Sequence, residues 1–553
     1  MNSNIIRALG MSLSLCSLPC LAQMDNVVEV ENDFRPIVKD VNKVNSLPDF
    51  EQAPTAHYSV EYTTRTFPTD KYAFQPIWAA RNQQLLKPAK KGFATLGYGL
   101  NTNVTGRFAY TFDLSTADRL SFDLSSRGYK SDVDHIVATN PQWESRMFNT
   151  RVKAEYVHQL SPLSEFYVNA GYGTDVFNYQ TLSTVATGTD KQHNDLIDLK
   201  IGLTPYQWGR FGISGEAELQ TFNQKHPVNF GEGNSETLIR AGITPEYAIT
   251  ENLSADIKIG VDNATYGMDA LAGAASAIDG YTSFDATPHV YWHNDVIDVK
   301  AGVYVSDDMD IAPDADVTFH VSPALDVYLE AHGGDVRNDF RRFASMSPYW
   351  SLASTSFEME NQFDQLRSRG GVRLKPVSGL SLDLSAGYDI SKNRAEIADY
   401  YMSATSADYL YAPVIFADGK HFYANAYVRY NYKDIVTADL STQYNKWDTD
   451  LKIAGIDTDV LWRPVFEADW SIKAQPVKNL NVGIDLLFET FDTAAGRYER
   501  DNTLNVGATA SYTFPLGLTI YAKGDNLMNR KYDQYTMYRS PGVNFVVGAA
   551  ITF

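Results

Sequence analysis

Residues 196–204 read Leu196-Ile197-Asp198-Leu199-Lys200-Ile201-Gly202-Leu203-Thr204. Leu199, Ile201 and Leu203 take one parity; Asp198, Lys200 and Thr204 take the other. A strand sends successive side chains to opposite faces, so this stretch is a strand with one apolar and one charged side. Residues 211–220 repeat the pattern, with Phe211, Ile213, Ala217 and Leu219 against Ser214, Glu216, Glu218 and Gln220. So do 466–473, with Phe466, Ala468, Trp470 and Ile472 against Glu467, Asp469, Ser471 and Lys473. In 147–156, Phe148, Val152, Ala154 and Tyr156 oppose Arg151, Lys153 and Glu155. The alternation runs from Gly92 to Phe553 in segments of roughly 10 to 13 residues.

The connections between segments alternate in length. Short turns fall at 114–118, 161–164, 205–210, 250–252, 294–295, 323–324, 376–379, 433–434, 476–478 and 515–517. Long links fall near 130–146, 178–192, 223–235, 266–280, 335–363, 391–420, 446–460, 490–502 and 526–540. Two links on the long side are short, near Thr102 and at 306–313. Short turns on one side and long loops on the other mark an outer-membrane barrel, whose strands carry a much weaker hydropathy signal than a helix. The spacing predicts a transmembrane antiparallel β-barrel of about 22 strands over 92–553. Closure is obligatory, since an open sheet edge would leave unpaired backbone groups in hydrocarbon.

Composition excludes several alternatives. No run of 18 apolar residues exists, so no transmembrane helix is available. Among 553 residues the formal charge is -20, which disfavours nucleic acid. Residues 1–23, with Arg7 before an apolar run, read as a signal peptide, and both cysteines, Cys16 and Cys20, lie within it. The mature chain then has no thiol for catalysis, metal binding or a disulfide. Residues 24–91 carry Pro36, Pro48, Pro54, Pro68, Pro76 and Pro88, and read as an extended N-terminal periplasmic arm.

The C-terminus is more specific. Asn526, Leu527, Asn529, Tyr532, Pro541, Gly542 and terminal Phe553 stand in a pattern that resembles the last hairpin of TonB-dependent outer-membrane transporters. Met528 and Val543 depart from it. The resemblance implies residence in the outer membrane of a Gram-negative bacterium, uptake of scarce ligands, and energy from the inner membrane through TonB. It also implies a globular plug before the barrel, and residues 24–91 carry no plug-like pattern. Val27-Val28-Glu29-Val30 is faintly similar to a TonB box. The expected function is therefore plugless, receptor-like solute uptake. The alternative is a non-transporting scaffold for a lipoprotein, assembly or secretion complex.

Candidate residues follow from the faces. Arg367, Arg369 and Arg373 share one parity and form the densest same-sign group on the expected lumen wall, a place for an anion or for the acidic part of the arm. Tyr400, Tyr401, Tyr409 and Tyr411 sit in a long loop as candidate surface contacts. Phe553 is the expected assembly signal. Asp307, Asp308, Asp310, Asp314 and Asp316 are read as a solvated acidic loop over 306–316. The other charges on the lumen face, among them Arg151, Asp198, Lys200, Glu216, Arg240, Asp256 and Lys300, are expected to pair across strands. His289 and His293 share a strand face but stand about 13 Å apart, too far for one metal. HExxH, GxSxG and Walker patterns are absent, so no catalytic, metal or cofactor site is predicted and the chain is not expected to be an enzyme. The expected partners are outer-membrane lipid, the outer-membrane assembly machinery, and surface lipoproteins or TonB.

Overall fold

The computed structural model describes residues 90–553, apart from 135–141, 181–190, 226–232, 269–277, 353–358, 398–409, 411, 434, 451, 454–455, 458–462, 493–499 and 536. The expected signal peptide, the expected arm up to residue 89, and Tyr400, Tyr401, Tyr409 and Tyr411 lie outside the described residues.

Alternation becomes a meander. Among the described residues, twenty-two antiparallel strands each pair with their neighbours in sequence, from Gly92–Gly99 to Asn544–Thr552. The last strand pairs with the first over seven partners, Phe93 with Thr552 through Gly99 with Val546. Reciprocal bonds between Gly92 and Phe553, at 2.8 and 2.9 Å, extend that seam, so the barrel has no free edge. A further short strand, Trp350–Leu352, joins the same sheet in parallel with Ala412–Val414.

The predicted short turns are found. Three of them use glycine in the left-handed region, Gly209 with φ of 66°, Gly379 with φ of 84° and Gly517 with φ of 82°. At Gly379 a Cβ would also lie 2.2 Å from the Asn431 carbonyl oxygen, so no other residue fits without movement. Strands reach 21 residues (Ala412–Tyr432) where about 10 suffice to cross the bilayer, so much of the wall stands beyond the membrane.

The burial pattern is that of a membrane barrel. Leu199, Ile201, Ile239, Ile243, Ile257, Ile259, Ile484 and Ile520 are exposed on the outer face, which only lipid makes favourable. Aromatic pairs collect beside the short turns: Tyr206 with Trp208, Phe211 with Tyr247, Tyr512 with Phe514, and Tyr110 with Phe112 and Phe553. Amphipathic rings favour the headgroup level, so this end is one membrane boundary.

One sequence expectation is corrected. Asp314 and Asp316 do not belong to a loop; they lie on the strand Ile311–Ser322, alternating with Ala315 and Val317. Strand parity, visible in those four residues, outweighs the acidic composition that suggested a loop.

Candidate functional site in the barrel mouth and lumen wall

The lumen wall carries the charged parity, and its charges pair across strands as expected. Arg240 makes two bonds to Asp262 at 2.7 and 2.9 Å. Lys200 meets Glu216 at 2.6 Å and Arg151 meets Asp175 at 2.6 Å. The predicted arginine group is found on the strand Gln362–Val377, where each member faces a wall carboxylate. Arg369 contacts Glu330; Arg373 lies 3.6 Å from Glu330 and 3.4 Å from Asp383, with its guanidinium 4.0 Å from the Tyr328 ring centre; Arg367 lies 3.3 Å from Asp364. Each of these half-exposed pairs is worth little in stability, but together they fix the wall's charge pattern.

The mouth is closed by something the sequence reading did not foresee. Twenty-two strands spaced ~4.8 Å apart and tilted ~40° enclose a ring roughly 45 Å across. Long loops from distant parts of that ring converge inside it. After the strand Leu325–Val336 the chain turns inward through the helix Phe340–Met346 and the strand Trp350–Leu352. Asp339 caps the helix by accepting from the Arg342 N–H at 2.6 Å. Burial pushes the Asp339 carboxyl up, while that N–H and the nearby arginines pull it down. Arg342 ties the segment to its own wall, donating to the Arg337 carbonyl, Asn338 and Gln362 at 2.7 to 2.9 Å. Arg341 reaches another wall and grips Asp198 through both guanidinium nitrogens, at 2.5 and 2.8 Å. The Phe340 N–H donates to Glu236 of a third strand, at 2.5 Å.

Apolar packing fills the closure. Phe340, Phe343 and Trp350 are buried with Leu196, Phe222, Ile397 and Val414 from the wall. Trp350 lies 5.4 Å from Phe340 and 5.5 Å from Phe343 between ring centres. A second cluster continues from the first. Tyr349 stacks on Tyr538 at 3.4 Å, with Phe177, Tyr179 and Tyr535 around it at 5.6 to 5.9 Å. Phe177 ends the fifth barrel strand, whereas Tyr349 follows the thirteenth. Their strands stand roughly 40 Å apart across the ring, so the contact is made over the lumen. Backbone bonds fasten the crossing: the Leu410 N–H donates to the Gln180 carbonyl at 2.9 Å, and Ala412 N–H to that of Tyr349 at 2.8 Å. The Tyr538 hydroxyl donates to the Leu410 carbonyl at 2.5 Å, and burial raises the Tyr538 phenol well above its usual range.

The C-terminal motif explains how Tyr538 gets there. Asn526 and Asn529 both take left-handed φ, at 45° and 49°. The Asn526 side chain is buried, donates to the carbonyls of Arg530 and Pro541, and accepts the Arg530 N–H. Asn529 accepts the Val543 N–H at 3.0 Å, and a Cβ on Gly542 would sit 2.5 Å from its oxygen. The motif residues are thus the clasp of the last loop. Sequence reading missed Phe340, Phe343, Tyr349, Trp350, Tyr535, Met537 and Tyr538. The available signal was aromatic density in 340–350 and 535–538, where a solvated loop would be polar.

A closed 22-stranded barrel with an apolar outer belt defines this chain as a transmembrane β-barrel of the outer-membrane class. Solved structures with the same architecture include iron and siderophore receptors. The chain is similar to the FrpB iron transporter of Neisseria meningitidis, with TM-score 0.64 and 10% identity over 85% of this chain and 82% of that one. It is similar to the ferric enterobactin receptor PfeA of Pseudomonas aeruginosa, with TM-score 0.61 and 9% identity over 84% and 80%. It is also similar to the siderophore receptor PirA of Acinetobacter baumannii, with TM-score 0.59 and 9% identity over 85% and 81%. At such identity the likeness is one of fold, and it is the barrel fold that the C-terminal resemblance implied. No family model and no curated protein matches the chain.

Proposed function

We propose that this protein is a receptor-like uptake barrel of the outer membrane, closed on its outer side by its own loops. The observation that carries the reading is the aromatic knot that joins loops from opposite walls above a lumen lined with paired charges. A knot made of loops can open by undocking, while a wall of hydrogen-bonded strands stays fixed. The fold neighbours are named for iron and siderophore uptake, which supports a scarce, bulky ligand over a small nutrient. Residues 24–91 serve as a periplasmic arm that contacts TonB, and Arg367, Arg369 and Arg373 offer it or an anionic solute a docking place once their wall partners are exchanged. The chain acts as a transporter rather than an enzyme.

A crosslinked pulldown from cells tests this. Capture of TonB through 24–91 is expected. Stoichiometric surface lipoproteins without TonB would instead mark the barrel as a scaffold.

A further inference from the structure

Four neighbouring strands, Leu253–Met268, Tyr281–His293, Ile297–Ser306 and Ile311–Ser322, and the next, Leu325–Val336, bring histidines and aspartates together on the lumen wall. His332 is the direct cross-strand partner of Asp314. Its Nδ1 lies 2.7 Å from Asp314 and its Nε2 lies 2.9 Å from Asp316. One nitrogen or oxygen from each of Asp314, Asp316 and His332 falls within a 4.8 Å sphere of mutual distances. His289 backs them, with Nδ1 2.7 Å from Asp256 and Nε2 2.8 Å from Asp314, and it is 94% shielded from solvent.

Lys300 reaches the same two carboxylates, 2.7 Å from Asp314 and 3.6 Å from Asp316, so an ion bound among them takes the place that the ammonium and the imidazole edges now hold. On the neighbouring strands Glu330 and Asp383 face Arg369 and Arg373, and Arg367 faces Asp364.

We propose that Asp314, Asp316 and His332 form a binding site for a divalent transition-metal ion on the inner wall. Two carboxylates and one imidazole are the mixed oxygen and nitrogen donors that suit the manganese-to-zinc series. The donors stand on paired strands that fix their backbone spacing, and the side chains turn from one another toward the ion when it arrives. Three protein donors leave coordination positions open to water or to a passing chelator. His289, holding Asp314 from behind, orients that carboxylate. The inference goes beyond the uptake reading and does not depend on it: a scaffold barrel would bind the ion equally well.

The test is calorimetric titration of the purified full chain in detergent with Zn²⁺, together with visible absorption of added Co²⁺. One ion per chain is expected. His332→Ala and Asp316→Asn should each weaken binding at least tenfold, while His158→Ala, at the far end of another strand, should not. Heat-modifiable gel mobility confirms that each variant is a folded barrel. No Zn²⁺ binding up to millimolar concentration, or equal affinity in the wild type and both site variants, overturns the proposal.

Discussion

Trp350→Ala is expected to open the mouth without unfolding the wall. The indole is 2% exposed and is held by Phe340, Phe343 and the apolar ends of the strands. Removing a buried Trp costs about 3–5 kcal/mol in lost transfer and cavity formation. Here that loss falls on the docked state of one loop, because the residue belongs to the inserted segment and the long strand ladders do not need it. At about 1.4 kcal/mol for each factor of ten, the docked-to-undocked ratio drops by about 10² to 10⁴. Single-channel recording in planar bilayers reads the change: the wild type should be nearly silent, and Trp350→Ala should show frequent large openings. Replacing residues 339–352 with a short Gly/Ser linker should hold the channel open and sensitise cells to bulky antibiotics. Silence in both variants, with folded barrels on a heat-modifiable gel, would refute the loop-closure reasoning.

Other outcomes follow from the same structure. Ile201→Arg should lower the folded yield, since a charge on the lipid face costs about 2–4 kcal/mol at the midplane, while Lys200→Leu should be tolerated because it only releases Glu216 into a wet wall; equal yields would refute the face assignment. Deleting Phe553 should reduce barrel in the outer membrane, as it removes both Gly92 bonds and the ring on Tyr110 that finish the seam. Asn526→Ala should loosen the last loop, leaving the Arg530 N–H and the Pro541 carbonyl without their partner, and limited proteolysis of intact cells should cut within 530–541 sooner than in the wild type. Deleting 24–91 alone should leave the conductance low, because the loops close the mouth by themselves; a large rise would assign the gate to the arm.

The wall was legible because a strand between lipid and water must alternate, and Asp198, Lys200 and Ile201 display that rule without any tertiary information. The turns were legible because one side carries only short links, while all the long links, with two short ones near Thr102 and at 306–313, fall on the other. The mouth was not, because its burial depends on which loops meet over the lumen, and nothing local in Phe340 or Tyr538 names a partner some 200 residues away. The lumen-wall histidines were half legible. His289 and His293 do share one strand, Tyr281–His293, yet Asp314 and His332 belong to different strands, and only the register brings them together. The arginine group was placed on the right face, but its carboxylate partners, Glu330 and Asp383, come from both flanking strands.

Whether loops from opposite walls truly meet over the lumen is best read with a paired-cysteine variant, Gln180→Cys with Leu410→Cys. Residues 24–553 contain no other cysteine, so the background from this stretch is clean. The Leu410 N–H bonds to the Gln180 carbonyl at 2.9 Å, so the two backbones touch there and paired cysteines are brought close enough to test for a link. Mild oxidation of intact cells should link the pair and shift the denatured protein on a non-reducing gel, with neither single variant shifting. Absence of the link under oxidation, with both single cysteines freely labelled by an external maleimide, would contradict the account.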